Sequence, residues 1–433
     1  MDSHLNQQAV TANAAIGQAR NLSRALHQYY PWVVITLCAF FLFYKYVLQV
    51  SPSVMTKDLM NEFQVSGAGL GHLAATFFYA YLITQLFVGP LMDRYSPRYL
   101  TTFAILLCAL GSFAFATTHS LLAAEISRAL MGAGTAFATV SYMKMSAIWF
   151  RSSQVAFVDG LLATAAMAGA LCGQVPMTLL VSQSGWRTSL IYCGLFGLFF
   201  AFAFLFLVKD KQKPSTNTQS NTLVKFSDIR ALMKDKKNWL LALYSGLVFT
   251  PVAVLGGLWG NPFFEVAHHL TSTEAAYFTS LIFLGVAIGS PFFGYFAGRL
   301  GDSVRVMMLG TGIAFVALLI AIYATQIPLW LFGTCLFIFG LGTGVFMLSF
   351  PLGKSINPIG LAATVVALIN TGDALCGSFT EPLIGKVLDL VWDGTMLNGV
   401  HHFTVQNYYV ALSLLPIYLL LGLVCLLGLR EKS

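Results

Sequence analysis

The sequence predicts an all-α membrane protein with 12 transmembrane helices, arranged as two pseudo-symmetric halves of six. The first observation is the composition: 57% of the 433 residues are hydrophobic and only 9% are charged. A soluble domain carries about a quarter charged residues, so a chain of this length would lack the charge to cover a surface in water. The second observation is a series of long apolar runs, and the third is a weak internal repeat.

Twelve apolar runs are long enough to cross a bilayer, which takes about 20 mostly apolar residues per helix. The runs lie at 31–51, 69–91, 98–117, 121–143, 159–181, 188–208, 239–260, 274–297, 304–325, 328–350, 359–383 and 407–429. Most of the segments between them are too short to hold a domain. The predicted organisation is a cytoplasmic N-terminal segment (1–30), an N-terminal six-helix bundle (31–208), a cytoplasmic linker (209–238), a C-terminal six-helix bundle (239–429) and a cytoplasmic tail (430–433).

Lysine and arginine are divided unequally between the two sides of this predicted membrane. With the N-terminus in the cytoplasm, the inner segments carry 18 of them and the outer segments carry only Lys57, Arg187 and Lys386. Such an excess is typical of cytoplasmic loops. We therefore expect both termini in the cytoplasm. Anionic lipid accounts for the net charge of +7, so no nucleic-acid partner is expected.

Three short matches between the halves share one order and an offset of about 205 residues. The pairs are "GPLMDRYSPR" (89–98) with "GYFAGRLGDSVR" (294–305), "GAGT" (132–135) with "GLGT" (340–343), and "ALCG" (170–173) with "ALCG" (374–377). Two halves of the same orientation, related by an axis along the membrane normal, are the architecture that this repeat predicts.

The segment "GPLMDRYSPR" resembles the signature G-x-x-x-D-R/K-x-G-x-R/K-R/K, which joins helices 2 and 3 in the major facilitator superfamily. Gly89, Asp93, Arg94 and Arg98 match it, while Ser96 replaces the usual glycine. The stretch "RALMGAGTA" also resembles the helix 4 signature of that family, R-x-x-x-G-x-G-x-A. The resemblance extends over about residues 31–429 and implies the fold of that superfamily, with transport by alternating access.

The second copy of the loop keeps Arg299 and Arg305 but has Gly298 in place of the acid. In relatives, the charged residues of this loop hold the two halves together on the cytoplasmic side while the carrier is open outward. The resemblance implies the same latch for Gly89, Asp93, Arg94, Arg98, Arg299 and Arg305. The alternative is that these charges only anchor the loops at the inner surface.

Lys45 is the main candidate for binding a solute. It lies about 20 Å into the first run at a rise of 1.5 Å per residue, and a charge at that depth is costly and usually functional. We expect it to face a central cavity and to hold a carboxylate or phosphate, the alternative being a structural pair with an acid. Further candidate binding residues are polar or aromatic residues within the runs: Tyr44, Gln49, Tyr79, Gln174, Trp259, Asn261 and Asn370. Tyr79 and Tyr81 point to different faces, so one of them is expected to line the cavity.

Two acids of the eleventh run and a pair in the fourth are the candidates for proton coupling. Asp373 is either a proton-titrating group or the counter-ion of Lys45, and Glu381 is a second proton site or an acid at the outer gate. Glu125 and Arg128 are spaced i, i+3 and can pair on one helix. The resemblance links Arg128 to proton transfer in some relatives, whereas the alternative for this pair is purely structural.

The chain carries no nucleotide-binding loop or catalytic motif, and its seven cysteines have no metal-ligand spacing. We therefore predict a non-enzyme without cofactor or metal, driven by an ion gradient and acting as a monomer. The predicted function is proton-coupled uptake of a small anionic or zwitterionic solute, namely a carboxylate, amino acid or peptide, organophosphate or carboxylate siderophore. The chain also resembles a bacterial branch for nutrient or siderophore uptake, which implies a location in the bacterial cytoplasmic (inner) membrane.

Two alternatives remain at this point. One is a proton-driven exporter of drugs, metabolites or siderophores. Gln174 occupies a position where drug antiporters usually have proline, which counts modestly against this alternative. The other is a membrane receptor that does not transport, for which the linker is too short to serve as an output domain.

Overall fold

The computed structural model describes residues 29–210, 232, 234–324, 326–358, 361–397 and 400–430. Most of the predicted N-terminal segment, most of the linker and residues 431–433 of the tail therefore lie outside the described residues. The described chain is helical except for a short hairpin, as the composition predicts.

The first half contains six long helical segments, which we number α1 to α6. They are α1 (Tyr29–Val54), α2 (Gly67–Arg94), α3 (Pro97–Thr117), α4 (Leu121–Thr135 and Phe137–Trp149), α5 (Ser152–Cys172 and 175–184) and α6 (186–207). A short helix, Thr56–Phe63, lies between α1 and α2.

The second half contains six more segments in the described chain. They are α7 (Lys236–His268, with a π-helical turn at Leu255–Trp259), α8 (Ser272–Leu300), α9 (Ser303–Tyr323), α10 (Leu329–Ser355), α11 (Ala362–Leu390) and α12 (Val405–Leu412 and Leu414–Arg430). Between α11 and α12, β1 (Met396–Leu397) and β2 (Val400–His401) form an antiparallel hairpin that pairs Met396 with His401.

Nine segments of the described chain are long and apolar enough to cross a membrane. One of them, Leu161–Leu207, contains most of α5 together with α6. The fourth predicted crossing corresponds to α4, which is interrupted at Ala136, and the eleventh corresponds to α11. The described helices are therefore consistent with 12 crossings. Large apolar side chains such as Leu86, Phe199 and Trp330 are exposed on their outer faces, as a lipid-facing surface requires.

The chain reverses direction at Gly185, between α5 and α6. Its φ of 79° is a left-handed value that glycine adopts without a steric penalty. Just after it, Arg187 Nη1 donates hydrogen bonds to the carbonyls of Ala116 and Thr118 at the end of α3. At the opposite end, Arg98 Nε donates to the Leu205 carbonyl at 2.8 Å. These contacts hold α6 antiparallel to α3.

The two halves meet most closely where α2 packs against α11. A Cβ atom added to Gly385 would lie 2.1 Å from the carbonyl oxygen of Gly67. Glycine at this crossing therefore allows the two backbones to touch. The contact lies at the start of α2 and near the end of α11, on the side that the charge distribution predicts to face outward.

Candidate functional site

A cavity of about 700 Å³ lies between the two halves, lined by α1, α2, α4 and α5 from the first half and by α7, α8, α10 and α11 from the second. Lys45 and Asp373 lie at its deep end, while Lys144 and Lys354 line it near the ends of α4 and α10. Those ends are on the predicted cytoplasmic side, so the cavity extends from the middle of the protein toward that side.

A buried polar cluster closes the opposite side; we call it the outer seal and define it as Ser53, Gln174, Gly256, Asn261 and Thr279. Gln174 Nε2 donates to the Gly256 carbonyl at 2.7 Å and to Ser53 Oγ at 3.1 Å. Asn261 Nδ2 donates to Gln174 Oε1 at 3.0 Å, and Thr279 Oγ1 donates to Asn261 Oδ1 at 2.5 Å. Ser53 and Gln174 belong to the first half and the others to the second, so the cluster ties the halves together.

Beyond the outer seal, Asp389 of α11 accepts hydrogen bonds from the backbone N–H groups of Gly67 and Ala68 at the start of α2. His401 Nδ1 lies 3.3 Å from Asp389 Oδ1. Lys57 of the first half also forms an ion pair with Glu265 of the second. The outer side is therefore closed by contacts from both halves.

The predicted latch residues make their described contacts within their own halves. Arg94 stacks on Tyr95, and Arg98 binds the Leu205 carbonyl. In the second half, Arg299 donates to Tyr295, and Arg305 pairs with Asp302. Gly89 lines the cavity, and the Asp93 side chain lies outside the described residues. In the orientation that the charge distribution predicts, closed outer contacts and an inner cavity describe an inward-open arrangement.

Lys45 belongs to a group of hydrogen-bond donors at the deep end of the cavity. Its Nζ donates to Tyr81 Oη at 3.5 Å and lies 4.6 Å from the Tyr81 ring centroid. Asn370 Nδ2 donates to the same oxygen at 3.1 Å from the other half. Because Tyr81 Oη accepts both bonds, its own hydrogen is available to donate. We call Lys45, Tyr81 and Asn370 the donor cluster; no ion pair joins Lys45 to an acid in the described part of the chain.

Asp373 lines the same cavity from α11, three residues beyond Asn370. Its residue surface is only 8% exposed, and Oδ1 has no hydrogen-bond partner among the described residues. Unpartnered polar atoms are rare in protein interiors, because burying them without a hydrogen bond costs free energy. The sequence analysis left open an ion pair between Asp373 and Lys45. The described part of the chain contains no such pair.

Arg128 and Glu381 are both buried between the cavity and the outer side. Arg128 Nη1 donates to the Leu48 carbonyl at 2.9 Å, and the guanidinium lies over the Phe77 ring. Arg128 does not make the pair with Glu125 that their spacing allows: Glu125 lies 4.0 Å from His72. Arg128 points inward and interacts electrostatically with Glu381 of the opposite half.

The structure divides the other candidate binding residues into two groups. Gln49 and Asn370 line the cavity, and Tyr81 rather than Tyr79 does so. Tyr44 lies outside the lining and donates to the Cys193 carbonyl. Gln174 and Asn261 belong to the outer seal, and Trp259 Nε1 donates to the Glu381 carbonyl at 3.2 Å.

Several polar lining residues were not among the sequence-based candidates, including Tyr46, Gln85, Thr139, Lys144, Ser290 and Lys354. Lys144 and Lys354 lie near helix ends, where the sequence does not distinguish a lysine that faces a cavity from one that extends to the membrane surface. For Tyr46 and Gln85, the packing of neighbouring helices decides which side of the helix is turned toward the cavity.

Comparison with known proteins agrees with this architecture. The model of the Major Facilitator Superfamily matches residues 30–380. An uncharacterized transporter of Bacillus subtilis (strain 168), YybO, is 22% identical over 421 residues, which is 90% of this chain and 94% of that protein. A protein named a probable L-galactonate transporter in Escherichia coli (strain K12) is 24% identical over 264 residues, 58% of each chain.

A solved structure of a bacterial homolog to the human lysosomal transporter Spinster, in an inward-facing and occupied conformation, has a similar fold. Its TM-score is 0.78 at 13% identity, and the alignment covers 94% of this chain and 98% of that one. At that identity, the likeness concerns the fold.

Proposed function

This chain belongs to the major facilitator superfamily, and we propose that it takes up a small solute bearing a carboxylate, coupled to protons, across a bacterial cytoplasmic membrane. It is a multi-pass membrane transporter and not an enzyme. The observation that carries the proposal is the donor cluster of Lys45, Tyr81 and Asn370, which faces the cavity from both halves.

The donor cluster supports an anionic group on the solute. An ammonium, a phenol hydrogen and an amide converge there, and hydrogen bonds from charged donors to a carboxylate are about twice as strong as neutral ones. Lys45 also forms no ion pair with an acid in the described chain. A solute carboxylate would therefore supply the counter-charge that the described residues do not provide.

The charges along the cavity also favour an anionic solute. Among its described lining residues, three lysines (Lys45, Lys144 and Lys354) face one acid, Asp373. A cleft with an excess of one sign concentrates ions of the other. The Escherichia coli relative is named a probable L-galactonate transporter, and L-galactonate is itself a carboxylate.

Alternating access would exchange two sets of contacts around this site. The outer seal and the Asp389 contacts would separate when the cavity opens outward. Asp93, Arg94, Arg98, Arg299 and Arg305 would then form the latch on the cytoplasmic side. The present contacts of the four arginines within single halves support this assignment, because an inward-open carrier has its latch released.

Proton coupling is assigned to Arg128 and Glu381. They lie on opposite halves, both are buried, and Glu381 Oε2 has no hydrogen-bond partner among the described residues. A proton on Glu381 would remove a buried charge and change its attraction to Arg128. The coupling would then act on the contact between the halves, while the solute binds at the donor cluster. Both termini would lie in the cytoplasm, and the carrier would act as a monomer.

The test is solute binding by the purified chain and its Lys45→Gln variant. Monocarboxylates, sugar acids, amino acids, organophosphates and carboxylate siderophores are screened by the rise in melting temperature, since a ligand of the native state stabilises it. We expect at least one carboxylate compound to bind and its affinity to fall about 10- to 100-fold in Lys45→Gln, as the loss of a charged hydrogen bond predicts.

Lys386→Gln is the matched control, because Lys386 is an exposed lysine of α11 outside the cavity lining. It should bind the solute like the unaltered chain. Binding restricted to neutral or cationic compounds, with no effect of Lys45→Gln, would contradict the proposal. Uptake into proteoliposomes under an imposed proton gradient then measures the direction of transport and distinguishes uptake from export.

A further inference from the structure

The cavity carries two opposite charges that do not pair with each other. Lys45 of α1 and Asp373 of α11 are 6% and 8% exposed, and both line its deep end. Asp373 Oδ1 has no hydrogen-bond partner among the described residues, and Lys45 Nζ has only the long bond of 3.5 Å to Tyr81. A buried charge is costly unless it is paired and hydrogen-bonded. Among the residues that the structure describes, both groups therefore lack a partner of opposite charge.

We infer that the solute is a zwitterionic α-amino acid with a neutral, mainly apolar side chain, whose carboxylate binds the donor cluster and whose ammonium binds Asp373. The inference rests on the proposed function and names its substrate class. A simple anion would satisfy Lys45 and leave the Asp373 carboxylate without a cation, whereas a zwitterion supplies both counter-charges at once.

The spacing of the two subsites fits charges carried on one carbon atom. Asn370 of the donor cluster and Asp373 are three residues apart on α11, and residues with that spacing are neighbours about 5–6 Å apart on a helix surface. The carboxylate and ammonium of an α-amino acid are bonded to the same carbon, so each can reach one of two adjacent groups. In a peptide, the terminal charges are separated by at least one further residue.

The rest of the deep lining favours an apolar side chain over a polyhydroxylated one. Phe77, Phe78, Met167, Val286 and Phe346 contribute to it. A sugar acid would place several hydroxyl groups against these side chains, and a hydroxyl transferred from water to an apolar surface without a hydrogen bond loses free energy.

The inference also separates the roles of the two acids of α11. Asp373 faces the cavity, whereas Glu381 lies toward the outer side beside Trp259 and Gly257. Asp373 would hold the ammonium group, and Glu381 would carry the coupled proton. One helix would therefore present a substrate carboxylate and a coupling carboxylate about two turns apart.

The test uses the full-length protein in lipid nanodiscs at neutral pH. The 20 standard α-amino acids are assayed singly by thermal shift, and dissociation constants are measured for those that bind. The tightest binder is compared with the same molecule lacking the amino group, with the amine lacking the carboxylate, and with L-galactonate. We expect the amino acid to bind at least about ten-fold more tightly than each of the three. This comparison needs no variant and is unaffected by folding defects.

Asp373→Asn supplies the second readout. It should weaken the amino acid about ten-fold or more and leave the deaminated acid within about two-fold, whereas Lys45→Gln should weaken both. Glu274→Gln is the control, because Glu274 is an exposed acid at the start of α8. Size-exclusion profiles and melting temperatures without solute confirm that each variant is folded.

Two results would overturn the inference: equal binding of the deaminated acid or of L-galactonate, or an equal effect of Asp373→Asn on the amino acid and its deaminated analogue. In either case, a carboxylate compound whose binding depends on Lys45 would leave the proposed function standing. Failure of the proposed function is a different result, in which no carboxylate compound binds in a way that depends on Lys45.

Discussion

Asp389 Oδ1, near the end of α11, accepts a hydrogen bond of 2.8 Å from the backbone N–H of Gly67, the first residue of α2 in the opposite half. Its second oxygen accepts from the N–H of Ala68 at 2.7 Å. A carboxylate is stabilised at a helix N-terminus by the unsatisfied N–H groups and by the helix dipole. One side chain therefore caps a helix and holds the outer side of the carrier closed.

Asp389→Asn should weaken this contact by about 1–2 kcal/mol, because the charge-assisted bonds become neutral. We expect a larger outward-open population. Spin labels are placed at the exposed positions Asn61 and His269, on the outer sides of the two halves. A larger outward-open population appears as a longer distance between the labels in pulsed electron paramagnetic resonance. Asp393→Asn is the control, since Asp393 accepts from Thr395 in its own loop. An unchanged distance distribution would show that Asp389 does not hold the outer side closed.

Gly385→Ala should open the same crossing by steric contact. Its new methyl group would lie 2.1 Å from the Gly67 carbonyl oxygen, and overpacking of this kind costs about 1–3 kcal/mol. The same label pair should report separation of α2 and α11, and the melting temperature should fall. Gly377→Ala on the same helix has no described atom within 4 Å of the added carbon, so it should have neither effect. Equal behaviour of the two variants would refute the steric explanation.

The outer seal should depend on Gln174. Gln174→Leu leaves the Gly256 carbonyl without its present donor and removes one bond of the Asn261 amide, which keeps the Ser53 carbonyl. An unsatisfied buried group costs about 1–3 kcal/mol. We expect a lower melting temperature and faster labelling of the outer side by a membrane-impermeant reagent. Gln64→Leu is the comparison, because Gln64 is exposed and bonds only to the nearby Asn61 carbonyl. A melting temperature equal to that of the unaltered chain would argue against a sealing role.

Glu381→Gln should separate transport from its coupling. Under the proposal, the variant lacks the titratable group, so accumulation driven by a proton gradient should fall at least about ten-fold. Exchange of solute across the membrane at equal pH should change by less than about three-fold, because the donor cluster is intact. Radiolabelled uptake and counterflow in proteoliposomes measure the two quantities, with Glu274→Gln as the control. Gradient-driven accumulation that survives in Glu381→Gln would remove Glu381 from the coupling mechanism.

An outer loop cluster should make stability depend on acid pH. The side-chain hydrogen bond from His119, together with Arg187, lowers the pKa of Glu62 below its usual 4.5. A lowered folded pKa means that the stabilisation is present above the unfolded value and is lost as the pH falls through the folded value. The melting temperatures of the unaltered chain and Glu62→Gln should therefore differ at pH 6 and converge as the pH falls through the lowered folded pKa of Glu62. His119→Asn should reduce the difference, and a difference independent of pH would contradict this assignment.

The membrane fold follows from residues that can be recognised without coordinates. Lipid leaves backbone groups no partner outside the chain, so long apolar runs become helices. A lysine and two acids within such runs are rare enough to indicate a site, and Lys45 and Asp373 do line the cavity. The family signatures at 89–98 and 128–136 identified the superfamily that the family model matches.

The direction in which a side chain points could be predicted less well from the sequence. Glu125 and Arg128 have a spacing that allows a pair, yet Arg128 turns inward to Leu48 and Phe77. The interior offers the guanidinium a backbone carbonyl and an aromatic face, which a spacing rule within one helix does not take into account. Gln174 and Asn261 are polar residues within apolar runs, as a binding residue would be, but they serve the outer seal in this inward-open arrangement.

The sequence by itself determined the helical membrane class, the repeat of two halves, the superfamily and the few buried charges worth testing. Only the tertiary structure decided that Tyr81 and not Tyr79 meets Lys45, that Asn370 joins them from the other half, and that Asp389 caps α2. The reason is physical: hydrophobicity and helix formation are local properties that a run of residues carries with it. The face that a helix turns to its neighbours depends instead on contacts between residues hundreds of positions apart.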